Sequence, residues 1–171
     1  MKLRPLTFAD ETQALQAHSE LAADNFEFLL GYTEGMEWSE YLQILDKLCA
    51  GTNLPEGRVP ATFLIAENDG ELVGRTSIRH ELNDFLFTVG GHIGYGVLPN
   101  YRRQGFATEI LKQSLTFINQ LGITEVLVTC LEGNVGSKKV IQSQGGILEN
   151  KVEYEGAFWE RYWITRVDKK D

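Results

Sequence analysis

The stretch WSEYLQILDKLC places Trp38, Tyr41, Leu42, Leu45 and Leu48 three or four residues apart, with polar side chains between them. That period belongs to a helix burying one face. Upstream, ETQALQAHSEL reads as another helix. Thr7 followed by Asp10 marks its start, because short polar side chains satisfy amides that a first turn leaves unpaired. KLRPLT before it reads as a short strand. ATFLIAE and ELVGRTSIRHEL are strands meeting through Asn68-Asp69-Gly70, a strong hairpin signal. Turn-rich GTNLPEGRVP leads into this pair, and NDFLFTVGG leads out of it as a loop. There follow a strand HIGYGVL, a helix over 103–121, a buried strand ITEVLVTCL bounded by Gly122 and Gly133, and a short helix NVGSKKVIQSQ stopped by Gly145 and Gly146. GILENKVEYEG and FWERYWITRV read as a closing hairpin. No repeat, low-complexity tract or linker interrupts this order, which predicts one α/β domain over residues 1–171.

A chain of 171 residues, 43% hydrophobic and 23% charged, can bury one substantial core. Its net charge of −8 opposes nucleic-acid binding, which needs a basic face to displace counterions from phosphates. Cationic partners fit the balance better. The charge is also uneven: thirteen acidic and four basic side chains fall between Met1 and Glu71, eleven and twelve after it. Cys49 and Cys130 stand far apart, and the three histidines show no metal-ligand spacing, so neither a disulfide framework nor a metal site is expected. MKLRPLTFADE lacks the apolar run of a signal peptide, and no stretch approaches the roughly 20 apolar residues of a membrane span. A soluble protein of the reducing cytoplasm, with no membrane partner, is the expectation.

The candidate chemistry begins at NYRRQGFATEIL. Pro99 ends the strand before it, and Gly105 and Ala107 fall in the opening turn of the next helix. First-turn amides have no partner inside their helix, and the aligned peptide dipoles put about half a positive charge there. A diphosphate suits such a turn, with Arg102 or Arg103 adding charge. Neither nucleotide-binding glycine pattern, the P-loop or the dinucleotide fingerprint, is present.

Arg102-Arg103-Gln104-Gly105-Phe106-Ala107 resembles the Arg/Gln-x-x-Gly-x-Gly/Ala signature of the GNAT-type acyl-CoA N-acyltransferases, and the order of elements is similar to theirs over nearly the whole chain. The stretches HIGYGV, VLVTC and RYWI resemble a bacterial subgroup of predicted acetyltransferases. The resemblance implies an α/β, GNAT-like fold whose central sheet is mixed, mostly antiparallel and splayed between its central strands, with flanking helices. It implies that Arg102, Arg103, Gln104, Gly105, Phe106, Ala107 and Thr108 hold the coenzyme A pyrophosphate. Ile93, Gly94, Tyr95, Gly96 and Val97 would pair through their backbone with the pantetheine arm. Gly94 and Gly96 suit close approach there, although glycines in strands also mark bulges. Asn134 and Ser137 look like the family's pantetheine-contacting Asn-x-x-Ala, although Asn134 also suits a plain helix cap.

Two positions depart from the family pattern. Ile141 stands where many members carry the tyrosine that protonates the leaving thiolate, and Gly146 replaces an aromatic. Cys130 or Tyr95 is left as general acid, or the thiolate leaves unassisted. A base is needed as well, since an amine attacks a thioester only when neutral. His92, where many relatives place a catalytic Glu, is the first expectation, and Glu81 and His80 follow. Arg79 would anchor Glu81 or face solvent, and His18 reads as a packing or surface residue.

The resemblance thus implies an N-acetyltransferase that moves an acetyl group from acetyl-CoA, without metal, to a primary amine of a small molecule or peptide by direct attack. Its alternative is an acyl-CoA sensor without turnover. Glu27, Glu34, Glu37 and Glu40, with Tyr32 and Trp38, suggest a cationic acceptor held by ion pairing and cation–π contact. A homodimer is left open.

Overall fold

The computed structural model describes residues 1–165. Arg166 and Val167 of the expected closing hairpin, and the last residues of the expected domain, lie outside the described residues.

The elements run β1 (Lys2–Arg4), α1 (Glu11–Ala22), α2 (Trp38–Ala50), β2 (Ala61–Asn68), β3 (Glu71–Arg79), β4 (Ile93–Val97), α3 (Phe106–Gln120), β5 (Glu125–Leu131), α4 (Val135–Ser143), β6 (Ile147–Tyr154) and β7 (Ala157–Thr165). Thr7 donates its amide and its hydroxyl to Asp10 Oδ2, each at 2.7 Å, so the capping pair opens a short 3-10 turn that continues into α1. Asp69 and Gly70 both take positive φ, as a two-residue hairpin of this kind requires, and Asn68 pairs with Glu71 across it.

β1–β2–β3–β4 form one antiparallel sheet and β5–β7–β6 a second. The splayed, mostly antiparallel arrangement implied by the sequence is present as these two sheets, which meet at β4 and β5. Helices α1 and α2 cover one face of the first sheet through a cluster containing Leu21, Phe28, Tyr41, Phe63 and Ile65. α3 covers the other face. Its buried stripe of Ile110, Leu111, Ser114, Leu115 and Ile118 has helical spacing and packs on Ile78, Ile93 and Val97, among others. The Ser114 hydroxyl bonds Thr76 Oγ1 at 3.0 Å, so the polar group at this interface is satisfied.

The segment expected as a loop between β3 and β4 contains a π-helical turn, Leu86–Gly90. Its amphipathic signal is a single turn long, and its conformation is fixed from outside. Arg161 of β7 donates to Phe87 O from Nη2 at 3.0 Å, Thr129 of β5 donates to Val89 O, and Arg79 of β3 donates to Gly90 O at 3.4 Å. Three strands thereby clamp three carbonyls where the sheets meet.

Candidate active site

β4 and β5 are the edge strands of their sheets, and they lie beside each other without sharing a ladder. In the β3–β4 register Ser77 faces Gly94 and Arg75 faces Gly96. Bonds from Arg79 N to His92 O at 2.7 Å and from Leu98 N to Val73 O at 3.0 Å fix which pairs exchange hydrogen bonds. Such pairs alternate in an antiparallel ladder, so the amides and carbonyls of Ile93, Tyr95 and Val97 turn away from β3, toward the gap before β5. An extended ligand with amide groups of its own can pair with that edge.

His92 closes the gap at one end. Its amide donates to Leu127 O at 2.7 Å and its Nδ1 accepts the Leu127 amide at 2.9 Å, so one residue joins the two sheets by two bonds. The side chain is buried at 6% exposure. Burial, with the nearby Arg79 charge second, pushes its pKa down to about 4. A neutral imidazole whose Nδ1 accepts carries its proton on Nε2 and has no lone pair left for a substrate. The expectation of His92 as general base is therefore corrected: its imidazole is a joint between sheets.

At the other end of β4, a 3-10 turn at Pro99–Tyr101 leads to Gly105, which caps α3 with φ +87°. Among the described residues, the amides of Arg103 to Thr108 have no acceptor. Six free N–H groups at a helix start can accept an anion such as a diphosphate. The side chains divide differently from expectation. Arg102 is tied to Asp24 at 2.6 Å and to Val97 O at 3.2 Å, and Gln104 reaches back to Asn100 O at 2.9 Å, so both shape the loop. Arg103, exposed and at φ +61°, has no ion-pair partner among the described residues. Phe106 packs edge-on against Tyr101, and Ala107 joins the cluster beneath β4.

Asn134 Oδ1 accepts the Ser137 amide at 3.1 Å, so it caps α4. The Ser137 hydroxyl meets Tyr95 Oη at 3.2 Å. These contacts bring Tyr95, Asn134 and Ser137 together where β4 faces α4. Burial raises the Tyr95 pKa to about 12 and that of Cys130 to about 11, so both are protonated at neutral pH. Ile141 is core.

Gly94 and Gly96 allow close packing on the face of β4 on which Arg75 and Phe26 lie. A Cβ on Gly96 would lie 2.4 Å from the Phe26 ring, and one on Gly94 would lie 2.9 Å from Arg79 Nη1. The space their missing side chains leave is taken by that ring and that guanidinium. Arg75 sits between them at 3% exposure. It donates to Gly94 O at 3.1 Å and Glu27 O at 2.7 Å, and its guanidinium lies 4.4 Å from the Phe26 ring centre. It has no carboxylate partner among the described residues, and burial pulls its pKa down to about 9. Sequence reasoning missed Arg75; the one available signal was an arginine inside a strand whose neighbours are all apolar or small.

Beyond β4 on this side lies a cleft of about 710 Å³, walled by α2, by the turns around Gly31 and residues 53–59, by the ends of β2 and β3, and by Asn83, Phe85 and Leu86. Arg79 and Ser77 are its boundary with β4. His80 and Glu81 do not line it. His80 Nε2 is engaged with Thr62 Oγ1 at 2.8 Å and its pKa is lowered by burial, whereas Glu81 is exposed. The structure thus does not bring His92, His80 and Glu81 into one catalytic group. Nor do Glu27, Glu34, Glu37 and Glu40 gather around the cleft. All four are exposed and none lines it, Trp38 is buried with Nε1 donating to Thr7 O at 3.1 Å, and Tyr32 packs edge-on against Tyr41 and His18. None of the six lines this cleft. Among the described residues, no three His, Cys, Asp or Glu side chains are placed to hold a metal ion, and no helix is long and apolar enough to cross a membrane.

Two bare strand edges, hinged at one end and opening toward an amide-lined helix start at the other, define an acyl-coenzyme-binding α/β fold. The description "Acetyltransferase (GNAT) domain" matches residues 1–147, and the chain belongs to that family. It is an acyl-CoA-dependent N-acetyltransferase with acetyl-CoA as co-substrate. Mycobacterium smegmatis RimJ in complex with CoA-disulfide is 22% identical, with a TM-score of 0.68 over 99% of this chain and 83% of that one. The ribosomal-protein-alanine N-acetyltransferase of Brucella melitensis is 18% identical, with a TM-score of 0.67 over 97% of this chain and 100% of that one. A mutant of the spermidine N-acetyltransferase SpeG from Vibrio cholerae is 16% identical, with a TM-score of 0.66 over 96% and 95%. At these identities the likeness shows the fold. No curated protein sequence matches the chain.

Proposed function

We propose that the protein acetylates a primary amine by direct attack within a ternary complex, without a covalent acyl-enzyme. The observation that carries this is the edge of β4 turned away from β3, with six free amides beyond one end of the strand and a cleft that reaches Ser77 and Arg79 of the adjoining β3. When bound, acetyl-CoA supplies a thioester whose carbonyl carbon a neutral amine attacks, so that the C–N bond forms as the C–S bond breaks.

The amides of Arg103 to Thr108 hold the diphosphate. The N–H groups of Ile93, Tyr95 and Val97 and the C=O groups of Ile93 and Tyr95 pair with the pantetheine arm, Val97 O being held by Arg102, and one of these amides donates to the thioester oxygen as negative charge builds there. Asn134, exposed at the start of α4, borders the same gap through Ser137 and Tyr95. The Tyr95 hydroxyl, protonated at neutral pH, is the group we assign to give its proton to the departing thiolate, in place of the tyrosine that Ile141 replaces. Cys130, protonated and buried, is not suited to carry an acyl group.

Among the described residues, no carboxylate or imidazole lines the cleft. The amine's proton is instead released to water, helped by the field of Arg75 and Arg79, because nearby positive charge lowers an ammonium pKa. The test is release of coenzyme thiol from acetyl-CoA across a panel of amines. Saturable, acceptor-dependent release is expected; saturable acetyl-CoA binding with no release under any acceptor would contradict it and favour the sensor.

A further inference from the structure

The N-terminal half of the chain, to Glu71, has only four basic side chains against thirteen acidic ones, yet two of the four, Lys47 and Arg58, line the cleft. Among the described residues, Arg79 is the third cation in its wall, and no aspartate or glutamate lines it. Glu56 and Asp84 neighbour wall residues in sequence but are exposed and outside the wall. None of the three cations has a carboxylate partner among the described residues. Arg79 in addition is held down to a pKa of about 10, by burial first and the Arg58 charge second. A protein of net charge −8 therefore keeps an unneutralised positive pocket beside its reacting strand.

Lys47 and Arg58 are exposed and Arg79 is half-buried, so the three positive charges stand open to a ligand, and an acceptor that is only cationic would be repelled. Most of the rest of the wall is apolar, including Leu30, Ile44, Leu54, Val59 and Phe85. The back of the cleft is braced: Asn83 Nδ2 donates to Gly57 O at 2.8 Å while its Oδ1 accepts the Leu86 amide at 2.9 Å.

We propose that the acceptor is an amine that also bears a carboxylate on an apolar body, the carboxylate lying among Lys47, Arg58 and Arg79 and the amine directed at β4 beside Ser77. The assignment rests on the acetyl-transfer reading above.

The test uses apolar amino acids and dipeptides, each against its own carboxamide, as acceptors with acetyl-CoA and, separately, as ligands followed by NMR of the protein. Carboxylates are expected to exceed their amides by about tenfold in kcat/KM and in affinity, the scale of a desolvated charge contact. Lys47→Glu and Arg58→Glu, both exposed positions that should fold, are expected to erase most of that ratio by raising KM with little change in kcat. Amides acetylated as well as the acids would overturn the carboxylate assignment while leaving acetyl transfer intact. Carboxylates bound selectively but never acetylated would uphold the cleft's ligand and overturn the transfer. Binding of neither set, or a ratio indifferent to both charge reversals, overturns the assignment.

Discussion

His92 shows how one side chain's hydrogen bonds decide between two roles that its sequence position leaves open. A base at this place must offer a lone pair to the amine; this imidazole spends its lone pair on Leu127. His92→Asn places an amide oxygen close to the position of Nδ1 and keeps an acceptor for Leu127, whereas His92→Ala leaves a buried N–H unpaired, costing about 1–3 kcal/mol. Turnover at pH 7 is expected to persist in the Asn variant and thermal stability to fall in the Ala variant. Abolished turnover in a stably folded Asn variant would restore the base. The titration adds a signature. Because the folded pKa, about 4, lies below the ordinary 6.5, the unfolded chain binds more protons between these values. This contribution to stability is whole above pH 6.5 and is lost as pH falls toward 4. The Asn variant should therefore lose less stability than the wild type across that window in melts at matched ionic strength.

At the scale of the element, the turn into α3 carries the coenzyme reading. Gly105 holds φ +87°, so any other residue there is strained, but an added Cβ would meet no atom within 4 Å. Gly105→Ala and Gly105→Glu share the backbone penalty, about 1 kcal/mol, and differ in the charge placed before the free amides. Coenzyme A affinity, measured by calorimetry, is expected to fall a few-fold in the Ala variant and more than about tenfold in the Glu variant. Equal losses would mean that the loop's shape, not its positive potential, holds the ligand. This turn was legible in sequence because it depends on local backbone: a proline, a glycine with positive φ and a small residue at fixed spacing. The same holds for the Asp69-Gly70 hairpin and for the apolar stripes of α2 and α3. The π-helical turn was not, because Arg161, Thr129 and Arg79 fix it from three strands far apart in the chain. The cleft's charge was hidden for the same reason: summing charge along the first 71 residues gives an acidic surface, whereas folding brings Lys47, Arg58 and Arg79 to one wall and leaves the glutamates outside it.

Across the whole molecule, two sheets are held together at a buried histidine and parted beyond it, and each division of labour follows from that geometry. α3 and α4 flank the side on which Tyr95 and Ser137 meet, while α1, α2 and the clamped turn enclose the side on which Arg75, Ser77 and Arg79 line up. The coenzyme's place between the parted edges underlies every other assignment, and amide NMR of the full chain titrated with coenzyme A measures it directly. The amides of Ile93, Tyr95, Val97 and Arg103 to Thr108 should show the largest shifts and gain protection from exchange, with those of Gly94 and Gly96, already bonded to β3, changing less. Saturable binding that left those amides unmoved, or that perturbed the far edge at β6 instead, would contradict the account.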